Sequence, residues 1–383
     1  MARGHIAERP FSAREMARYQ RQLVLPEVGI EGQRRLRENS VLVIGAGALG
    51  SAAATYLAAA GVGRIGFLDG DRVDATNLHR QILHASADVG RPKAESGAER
   101  LQALNPDIAV EPHRAFLSRE NALGLLGGYD LIVNGSDNFP TRYLVNDAAV
   151  FLRKPWVDAA ILRFEGQLAV FRPGRGCYRC LFPTPPPPGT VPSCAEAGIL
   201  GAVAGVLGSM QAVEALKILL GLQDDESARL LLYDALRSTW HAVPFRNDPR
   251  CPVSGAHPTI TELQDYEGFC GVPLPTEATP SDAAPVFALS RELASERLRA
   301  GELRVLDVRT PEEYARGHLP GAKLTPLEAL DTVGAGPPVL TVCAVGVRSQ
   351  YAAQYLRAHG IDAFSLEGGT AGWANDGRPL VVP

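Results

Sequence analysis

The hydrophobic positions in the first third of the chain alternate between short apolar runs and amphipathic stretches. The apolar runs lie at residues 41–44, 65–68, 108–111 and 131–134. Their length and their bounding polar residues predict buried strands, while residues 93–104 between them have the spacing of a helix. A Ser-Ala-Arg-Glu sequence at 12–15 predicts the start of an earlier helix. Strands that alternate with helices are typical of a mainly parallel sheet with helices on both faces.

The same alternation resumes near the C-terminus, after a stretch rich in proline and alanine. It predicts strands at 303–307 and 339–342 and helices at 311–316 and 348–359. Residues 274–285 have the composition of an interdomain linker. Because 383 residues are many for a single hydrophobic core, we expect two domains. We predict a larger α/β domain at 1–265, a linker at 266–285 and a small α/β domain at 286–383.

The most apolar stretch, residues 198–222, has the hydropathy of a membrane span, but its charge-free part is too short for one. Glu214 and Lys217 interrupt it, and its charge-free part covers only residues 198–213. A bilayer needs about 20 apolar residues in succession. We therefore expect a buried helix, in the core or at a dimer interface.

The composition of the chain excludes only a few classes of function. Hydrophobic residues make up 46% of the chain, and the formal net charge of −4 gives no reason to expect a nucleic-acid partner. Residues 1–19 are too polar for a signal sequence, and six cysteines are too few for a disulfide scaffold. We expect a cytoplasmic protein without a membrane partner.

A glycine-rich turn follows the first predicted strand. Gly45, Gly47 and Gly50 lead into an alanine-rich segment, a pattern in which the amides of a helix N-terminus face an anion. Asp69 ends the second predicted strand, where an acid commonly binds a ribose. The pattern predicts a nucleotide site but does not identify the nucleotide.

Polar residues beyond this turn distinguish between nucleotides. Arg80 and Lys93 supply positive charge, and Asp137 follows the fourth predicted strand. A nicotinamide dinucleotide needs little of this charge, whereas a triphosphate must be neutralised while pyrophosphate leaves. Asp137 is a suitable ligand for Mg²⁺, which prefers carboxylates together with phosphate oxygens. We therefore expect ATP and Mg²⁺.

Within residues 12–262, six motifs occur in order between positions 18 and 142. They are Arg18-Tyr-Gln-Arg21-Gln, Gly45-Ala-Gly-Ala-Leu-Gly50, Asp69-Gly-Asp, Asn77-Leu-His-Arg80-Gln81, Gly90-Arg-Pro-Lys93 and Ser136-Asp137-Asn138-Phe-Pro-Thr-Arg142. On these motifs the region resembles the superfamily of MoeB, ThiF and the ubiquitin-activating enzymes. The resemblance implies a Rossmann-like adenylation domain with a mixed, mostly parallel sheet. It also implies a substrate, a small ubiquitin-like protein whose C-terminal Gly-Gly carboxylate is adenylated.

The resemblance also implies a set of residues that contact ATP. They are Gly45, Gly47, Gly50, Asp69, Asn77, Arg80, Gln81, Lys93, Asp137, Asn138 and Arg21. Asp69 would bind the ribose, Asp137 would hold Mg²⁺, and Arg80, Lys93 and Asp137 would act in catalysis. Arg21 resembles an arginine that reaches the ATP site of the neighbouring subunit, which implies a homodimer.

Cys177-Tyr-Arg-Cys180 has the spacing of half a structural zinc site. The resemblance places the second half near Cys251, but the chain there reads Cys251-Pro-Val-Ser254, with serine where relatives carry a fourth cysteine. A serine hydroxyl is a poor zinc ligand, and His257 is an alternative donor. Two interpretations stay open: an incomplete zinc site made by Cys177, Cys180 and Cys251, or no zinc.

Cys194 lies between a proline-rich segment, residues 182–189, and the long apolar stretch. By resemblance it is the thiol that relatives use for a thioester or for a disulfide with the sulfur donor. A lone cysteine is also commonly an inert core residue. A thioester, a disulfide and neither all remain open for Cys194.

Cys343 ends a predicted strand and is followed by Ala-Val-Gly-Val-Arg348 and a predicted helix. Loop amides and a helix N-terminus stabilise a thiolate or persulfide anion, and Arg348 adds a positive charge. Together with residues 306–322 and 366–373, this loop resembles the rhodanese sulfurtransferases. The resemblance implies a persulfide on Cys343, received from a donor such as a cysteine desulfurase.

The two resemblances together are those of a fused adenylyltransferase and sulfurtransferase of the MoeZ type. The implied function is ATP-dependent adenylation of a sulfur carrier of the MoaD or ThiS kind, followed by sulfur transfer that gives a thiocarboxylate. The pathway stays open among molybdopterin, thiamine, cysteine and tRNA thiolation. Two alternatives are a nicotinamide-dependent oxidoreductase with an accessory domain and a catalytically degenerate carrier-binding module.

Overall fold

The computed structural model describes residues 9–186, 198–223, 228–270, 287–309, 311–344 and 346–382. These residues separate into an N-terminal unit, 9–185 with 198–270, and a C-terminal unit, 287–382.

The N-terminal unit is built on one mixed sheet. Its helices are α1 (Ala13–Leu23), α2 (Gly29–Glu38), α3 (Ala48–Ala60), α4 (Lys93–Leu104), α5 (Ala122–Gly127), α6 (Phe139–Leu152), α7 (Tyr178–Leu181), α8 (Gly201–Leu220) and α9 (Tyr266–Phe269). Its strands are β1 (Ser40–Ile44), β2 (Arg64–Leu68), β3 (Ala109–His113), β4 (Leu131–Asn134), β5 (Trp156–Leu162), β6 (Glu165–Phe171), β7 (Ala228–Asp234) and β8 (Thr239–Phe245). The sheet order is β3-β2-β1-β4-β5-β6-β7-β8, parallel from β3 to β5 and antiparallel from β5 to β8.

Three strands of this sheet end side by side. Ile44 at the end of β1 pairs with Leu68 of β2 and with Asn134 of β4. The segments that follow these strands therefore meet at one sheet edge, where ligands of such folds bind. The predicted alternation of strands and helices is confirmed here, with the third strand shifted to Ala109–His113.

Helix α8 is the apolar stretch whose length and composition, taken alone, would allow it to cross a membrane. Half of its apolar segment is nevertheless buried inside the unit, where the helix packs on α3 and β5. Gly208 permits the close approach, since a Cβ there would lie 2.5 Å from the Leu49 carbonyl oxygen. The prediction of a helix in the core is confirmed for this buried half, and a dimer interface over the rest stays a prediction.

The C-terminal unit is a small parallel α/β domain. Its strands are β9 (Ala288–Leu289), β10 (Arg304–Asp307), β11 (Lys323–Leu324), β12 (Val339–Val342) and β13 (Ala363–Leu366), and its helices are α10 (Arg291–Arg299), α11 (Pro311–Ala315), α12 (Val347–Ala358) and α13 (Gly369–Asn375). The sheet order is β11-β10-β12-β13-β9. The strands β9 and β11 escape prediction because two residues are too few to show a hydrophobic period.

Candidate functional site

The glycine turn after β1 is pressed tightly against the neighbouring strand ends. Gly45 has a positive φ of 88°, and its N–H donates to the Leu68 carbonyl at 2.8 Å. A Cβ on Gly50 would lie 1.8 Å from the Gly45 carbonyl oxygen, so a larger residue requires the loop to move. Gly47 is the N-cap of the 13-residue helix α3. The first amides of that helix therefore face the sheet edge, as in loops that bind phosphate.

Asp69 and Asp71 connect this turn to α4. One carboxylate oxygen of Asp69 accepts from the Ala46 N–H and the other from the Asp71 N–H, both at 2.7 Å. The Asp71 carboxylate in turn binds the Lys93 ammonium at 3.0 Å. The Lys93 side chain is only 8% exposed. Its positive charge is thus held in a defined place relative to the glycine turn.

Asn77, Arg80 and Gln81 lie together in one turn beside the glycine loop. The Arg80 guanidinium donates to the Asn77 side-chain oxygen at 2.6 Å, and the Gln81 N–H donates to the Asn77 carbonyl. Gln81 is buried, with its Nε2 4.0 Å from where a Cβ on Gly47 would stand. Its Oε1 is buried without a hydrogen-bond partner among the described residues. An unpaired buried acceptor is costly, so this corner fits a site that is completed by a polar ligand.

Asp137 is exposed at the same sheet edge, two residues beyond Gly135. Gly135 donates its N–H to the Ile44 carbonyl at 2.8 Å, which holds the segment against the glycine turn. The side chain of Asn138 caps α6 by accepting from the Thr141 N–H at 2.9 Å. Asn138 therefore has a structural task, and its contact with ATP remains a prediction.

Arg142 holds this segment in place through buried contacts. It is buried against Asp158, with 3.0 Å between its Nε and a carboxylate oxygen, and it also reaches the Ser136 carbonyl at 3.4 Å. Asn134 donates to the same carboxylate at 2.8 Å. Burial raises the pKa of Asp158, and the Arg142 charge opposes that rise. The arginine that closes the Ser-Asp-Asn motif thus holds the position of the Asp137 loop.

Arg21 does not join the site of its own chain. Its neighbour Gln22 donates to the Ala60 carbonyl at the far end of α3, and Tyr19 fills the space beside Gly61. The 13 residues of α3 span about 20 Å between that end and the glycine turn. Contact of Arg21 with a neighbouring subunit remains a prediction.

His84 is a residue of this site that the sequence analysis missed, because it stands outside every recognisable motif. It is buried, with Nε2 3.1 Å from the Ala46 carbonyl and Nδ1 3.0 Å from the Ser96 hydroxyl. A carbonyl oxygen only accepts, so Nε2 carries the proton of the neutral ring. His84 thereby ties the glycine turn to α4.

The stability of the N-terminal unit is expected to fall on mild acidification because of His84. Burial lowers the pKa of this imidazole below its usual value, so the unfolded chain takes up a proton here before the folded one does. The contribution of His84 is complete above the unfolded pKa of about 6.5 and is lost as the pH falls below it. Calorimetric unfolding at pH 7.5 and pH 5.5 should show a larger loss for the native chain than for His84→Gln. Equal losses in both proteins would contradict this role.

The three cysteines predicted for zinc are brought together. Cys177 Sγ lies 3.7 Å from Cys180 Sγ and 3.5 Å from Cys251 Sγ. Sulfurs bound tetrahedrally to zinc stand about 3.8 Å apart, so the spacing fits the metal. The sulfurs of Cys180 and Cys251, together with burial, raise the pKa of the Cys177 thiol. A cation would replace the protons that these crowded thiols otherwise share.

Ser254 occupies the fourth corner of this cluster. Its Oγ lies 3.2 Å from Cys177 Sγ and 3.4 Å from Cys180 Sγ. His257, the alternative donor, is exposed and lies outside the metal-binding group that the described residues form, so its role stays a prediction. Cys194 lies outside the described residues, so its predicted role stays a prediction.

The thiol of the C-terminal unit is enclosed by its loop. Cys343 is 0% exposed, and its Sγ accepts from the Gly346 N–H at 3.1 Å. Gly346 is the N-cap of the 12-residue helix α12, with a φ of 104° that favours glycine. The Ser349 hydroxyl lies 3.5 Å from the sulfur, but it donates its one proton to the Gly346 carbonyl oxygen at 2.9 Å. The predicted surroundings of a sulfur anion, loop amide and helix N-terminus, are present.

Arg348 is held by an acid from another helix. Its two terminal nitrogens bind the two carboxylate oxygens of Glu313 at 2.9 and 2.7 Å. The predicted cation is therefore fixed in position, but part of its charge is neutralised by Glu313. The partner lies in α11, 35 residues earlier in the chain.

The substitution Glu313→Gln is expected to slow sulfur transfer by about tenfold, because a charge-assisted bidentate pair would become a single weaker bond. The rate of sulfur transfer from thiosulfate to cyanide measures this effect directly. Glu292→Gln, on an exposed side chain of α10, is the matched control and should have no effect. Equal rates for all three proteins would show that Arg348 does not need this partner.

The fold and these two sites define an α/β enzyme that joins a nucleotide-binding unit to a sulfurtransferase-like unit. The ThiF family matches residues 19–253, and the rhodanese-like domain matches residues 290–376. The chain belongs to the ThiF family and carries a C-terminal rhodanese domain.

Two named relatives match over most of this chain, and a third matches over about two thirds of it. The chain is 44% identical over 384 residues to the probable adenylyltransferase/sulfurtransferase MoeZ of Mycobacterium tuberculosis, covering 97% of this chain and 96% of the relative. It is 46% identical over 363 residues to the adenylyltransferase and sulfurtransferase MOCS3 of Anopheles gambiae, covering 89% and 81%. The sulfur carrier protein adenylyltransferase of Thermus thermophilus is 55% identical over 268 residues, covering 68% of this chain and 99% of the relative.

Solved structures agree with the fold of the N-terminal unit. The crystal structure of E. coli MccB with succinimide superposes with a TM-score of 0.54 at 23% identity, covering 62% of this chain and 74% of that one. At this identity the likeness concerns the fold alone.

Proposed function

We propose that this chain adenylates the C-terminal carboxylate of a ubiquitin-like sulfur carrier ending in Gly-Gly, and then converts it to a thiocarboxylate with sulfur from a Cys343 persulfide. The observation that carries the proposal is the presence of two chemically complementary sites in one chain. A glycine turn with a fixed lysine suits an activated acyl phosphate, and an enclosed thiol suits a sulfur nucleophile.

In the first half-reaction, the glycine turn and its neighbours orient ATP. The α3 amides, Arg80 and Lys93 would bind the phosphates, while Asp69 would contact the ribose and Asp137 would hold Mg²⁺. The metal, when bound, neutralises phosphate charge. A carrier carboxylate oxygen attacks the α-phosphorus, the bond to pyrophosphate breaks, and an acyl-adenylate forms.

In the second half-reaction, the terminal sulfur of the Cys343 persulfide attacks the acyl carbon and AMP leaves. The product is an acyl disulfide between the carrier and Cys343. Attack by the Cys194 thiolate on the Cys343 sulfur would release the carrier thiocarboxylate and leave a Cys343–Cys194 disulfide. Two electrons from cellular thiols then restore both cysteines, and a cysteine desulfurase would supply the next persulfide.

Several supporting features belong to the same proposal. Zinc bound by Cys177, Cys180 and Cys251 would brace the segments 177–180 and 247–254 against each other. A cytoplasmic homodimer would bring Arg21 of one copy to the ATP site of the other. The distance between Arg21 and its own glycine turn supports this arrangement.

Carrier-dependent exchange of pyrophosphate into ATP tests the first half-reaction. Exchange should require Mg²⁺ and a carrier with an intact Gly-Gly end, and a carrier shortened by one glycine is the matched control. Exchange with neither carrier would favour a degenerate binding module. Binding of NAD without binding of ATP would instead favour the oxidoreductase alternative.

A further inference from the structure

A pocket of about 260 Å³ lies beside the cysteine cluster. Its lining includes Cys177, Ser254 and Asn247 of the cluster and its surroundings, and three cationic residues, Arg153, Lys154 and Arg172. It is next to the first residue of β5, whereas the glycine turn follows the last residue of β1. The two lie at opposite edges of the sheet, so the pocket is separate from the nucleotide site.

Ser254 stands at the boundary between the cluster and this pocket. Its Oγ is in the corner where a fourth ligand belongs, and it also donates to the Asn247 side-chain oxygen at 3.0 Å. A closed structural zinc site has four strong ligands, whereas a reactive one keeps a position that an outside ligand can enter. A neutral hydroxyl is a much weaker zinc ligand than a thiolate, so this fourth position is weakly held.

The positive charge of the pocket favours an anion in that position. Zn²⁺ with three thiolates carries a net charge of −1, one negative charge fewer than a site with four cysteines. Arg153, Lys154 and Arg172 line the same pocket and bring positive charge to its walls. Zinc is a borderline-soft cation that binds sulfur readily, so an anionic sulfur donor suits the metal, and a second anionic group suits the cations.

We propose that the metal at Cys177, Cys180 and Cys251 has an exchangeable fourth position, which opens at Ser254 into the cationic pocket and accepts a small anionic thiol. Cys177, Cys180 and Cys251 would hold the metal, and water or the Ser254 hydroxyl would leave the fourth position as the thiolate enters it, with the thiol proton passing to solvent. No electrons are transferred in this exchange.

Cobalt-substituted full-length protein tests the proposal, because the colour of Co²⁺ reports its ligands. The sulfur-to-cobalt charge-transfer absorption and the ligand-field bands are recorded while thioglycolate is added. We expect a saturable increase in the charge-transfer absorption as a fourth thiolate joins three. Acetate, which lacks the thiol, should leave it unchanged, and 2-mercaptoethanol, which lacks the carboxylate, should bind about fivefold more weakly.

Two substitutions at position 254 are the matched variants. Ser254→Cys closes the site, so the cobalt spectrum should show four thiolates at the outset and should not respond to thioglycolate. Zinc affinity, measured by competition with a chromophoric chelator, should rise on the order of tenfold to hundredfold, the scale on which groups at a metal site act. Ser254→Ala keeps the position open and should respond as the native protein does. Lys154→Gln should weaken the binding of thioglycolate without affecting the binding of 2-mercaptoethanol.

The proposal is overturned if thioglycolate leaves the native spectrum unchanged, or if Ser254→Cys responds as the native protein does. It is also overturned if the native chain binds no stoichiometric cobalt or if thioglycolate strips the cobalt into the filtrate. Carrier-dependent pyrophosphate exchange, measured on the same preparations, tests adenylation separately, so the failure of one proposal is distinguishable from the failure of the other.

Discussion

Replacement of Cys343 by serine is expected to reduce thiocarboxylate formation by at least about a thousandfold, as loss of an enzymatic nucleophile commonly does. A hydroxyl cannot carry the persulfide sulfur, although it preserves the size of the side chain. The structure supports a native fold for the variant, because the serine oxygen can still accept from the Gly346 N–H that now binds the sulfur. Adenylation in the N-terminal unit should continue, so the acyl-adenylate accumulates.

Mass measurement of the carrier distinguishes the outcomes for Cys343. With the native enzyme, the mass of the carrier should rise by the difference between sulfur and oxygen. With Cys343→Ser, the carrier should appear only as the adenylate. Ser349→Ala, which removes a neighbouring hydroxyl but not the thiol, is the matched control and should keep most of the transfer. Normal thiocarboxylate formation by Cys343→Ser would refute a Cys343 persulfide as the sulfur source.

Replacement of Lys93 by alanine is expected to lower the rate of carrier-dependent pyrophosphate exchange by about a hundredfold to a thousandfold, the loss typical of a group that stabilises developing charge. Lys93 is nearly buried and is held by Asp71, which itself bonds to Asp69 beside the glycine turn. Its charge therefore acts from a defined point in a site partly shielded from water, where such charges count most.

The substitution Asp71→Asn provides the control for Lys93. It removes the carboxylate that pairs with Lys93 and leaves the positive charge in place, so exchange should fall by about tenfold or less. A larger loss in Asp71→Asn than in Lys93→Ala would show that the acid, and not the lysine, carries the function. Equal exchange in Lys93→Ala and the native protein would remove Lys93 from the proposed mechanism.

The parts of the molecule that were predictable are those that depend on neighbours in the sequence. The apolar run before Gly45 identified the central strand β1, and Ser12 with Glu15 identified the start of α1 through a capping box that the structure contains. The glycine spacing likewise predicted a turn that only small residues fit. In each case the sequence pattern and the local feature that it predicts lie within about eight residues, or roughly two turns of a helix.

The parts that were not predictable are contacts between distant residues. His84 meets the Ala46 carbonyl across 38 positions, and Glu313 meets Arg348 across 35. Arg21 belongs to a motif of the nucleotide region, yet the packing of α1 on the far end of α3 keeps it from its own site. None of these follows from a local pattern, because each depends on how whole elements pack.

The sequence by itself determined the chemistry available to this protein: a strand, glycine turn and helix for an anion, cationic and acidic residues at the following loops, and a thiol before a second helix. Those properties depend on residue type and short-range spacing, which backbone geometry converts directly into local structure. Only the tertiary structure decided which groups act together, such as Arg348 with Glu313, 35 positions earlier in the chain. Such neighbours are selected by the packing of the core, and no short stretch of sequence contains that information.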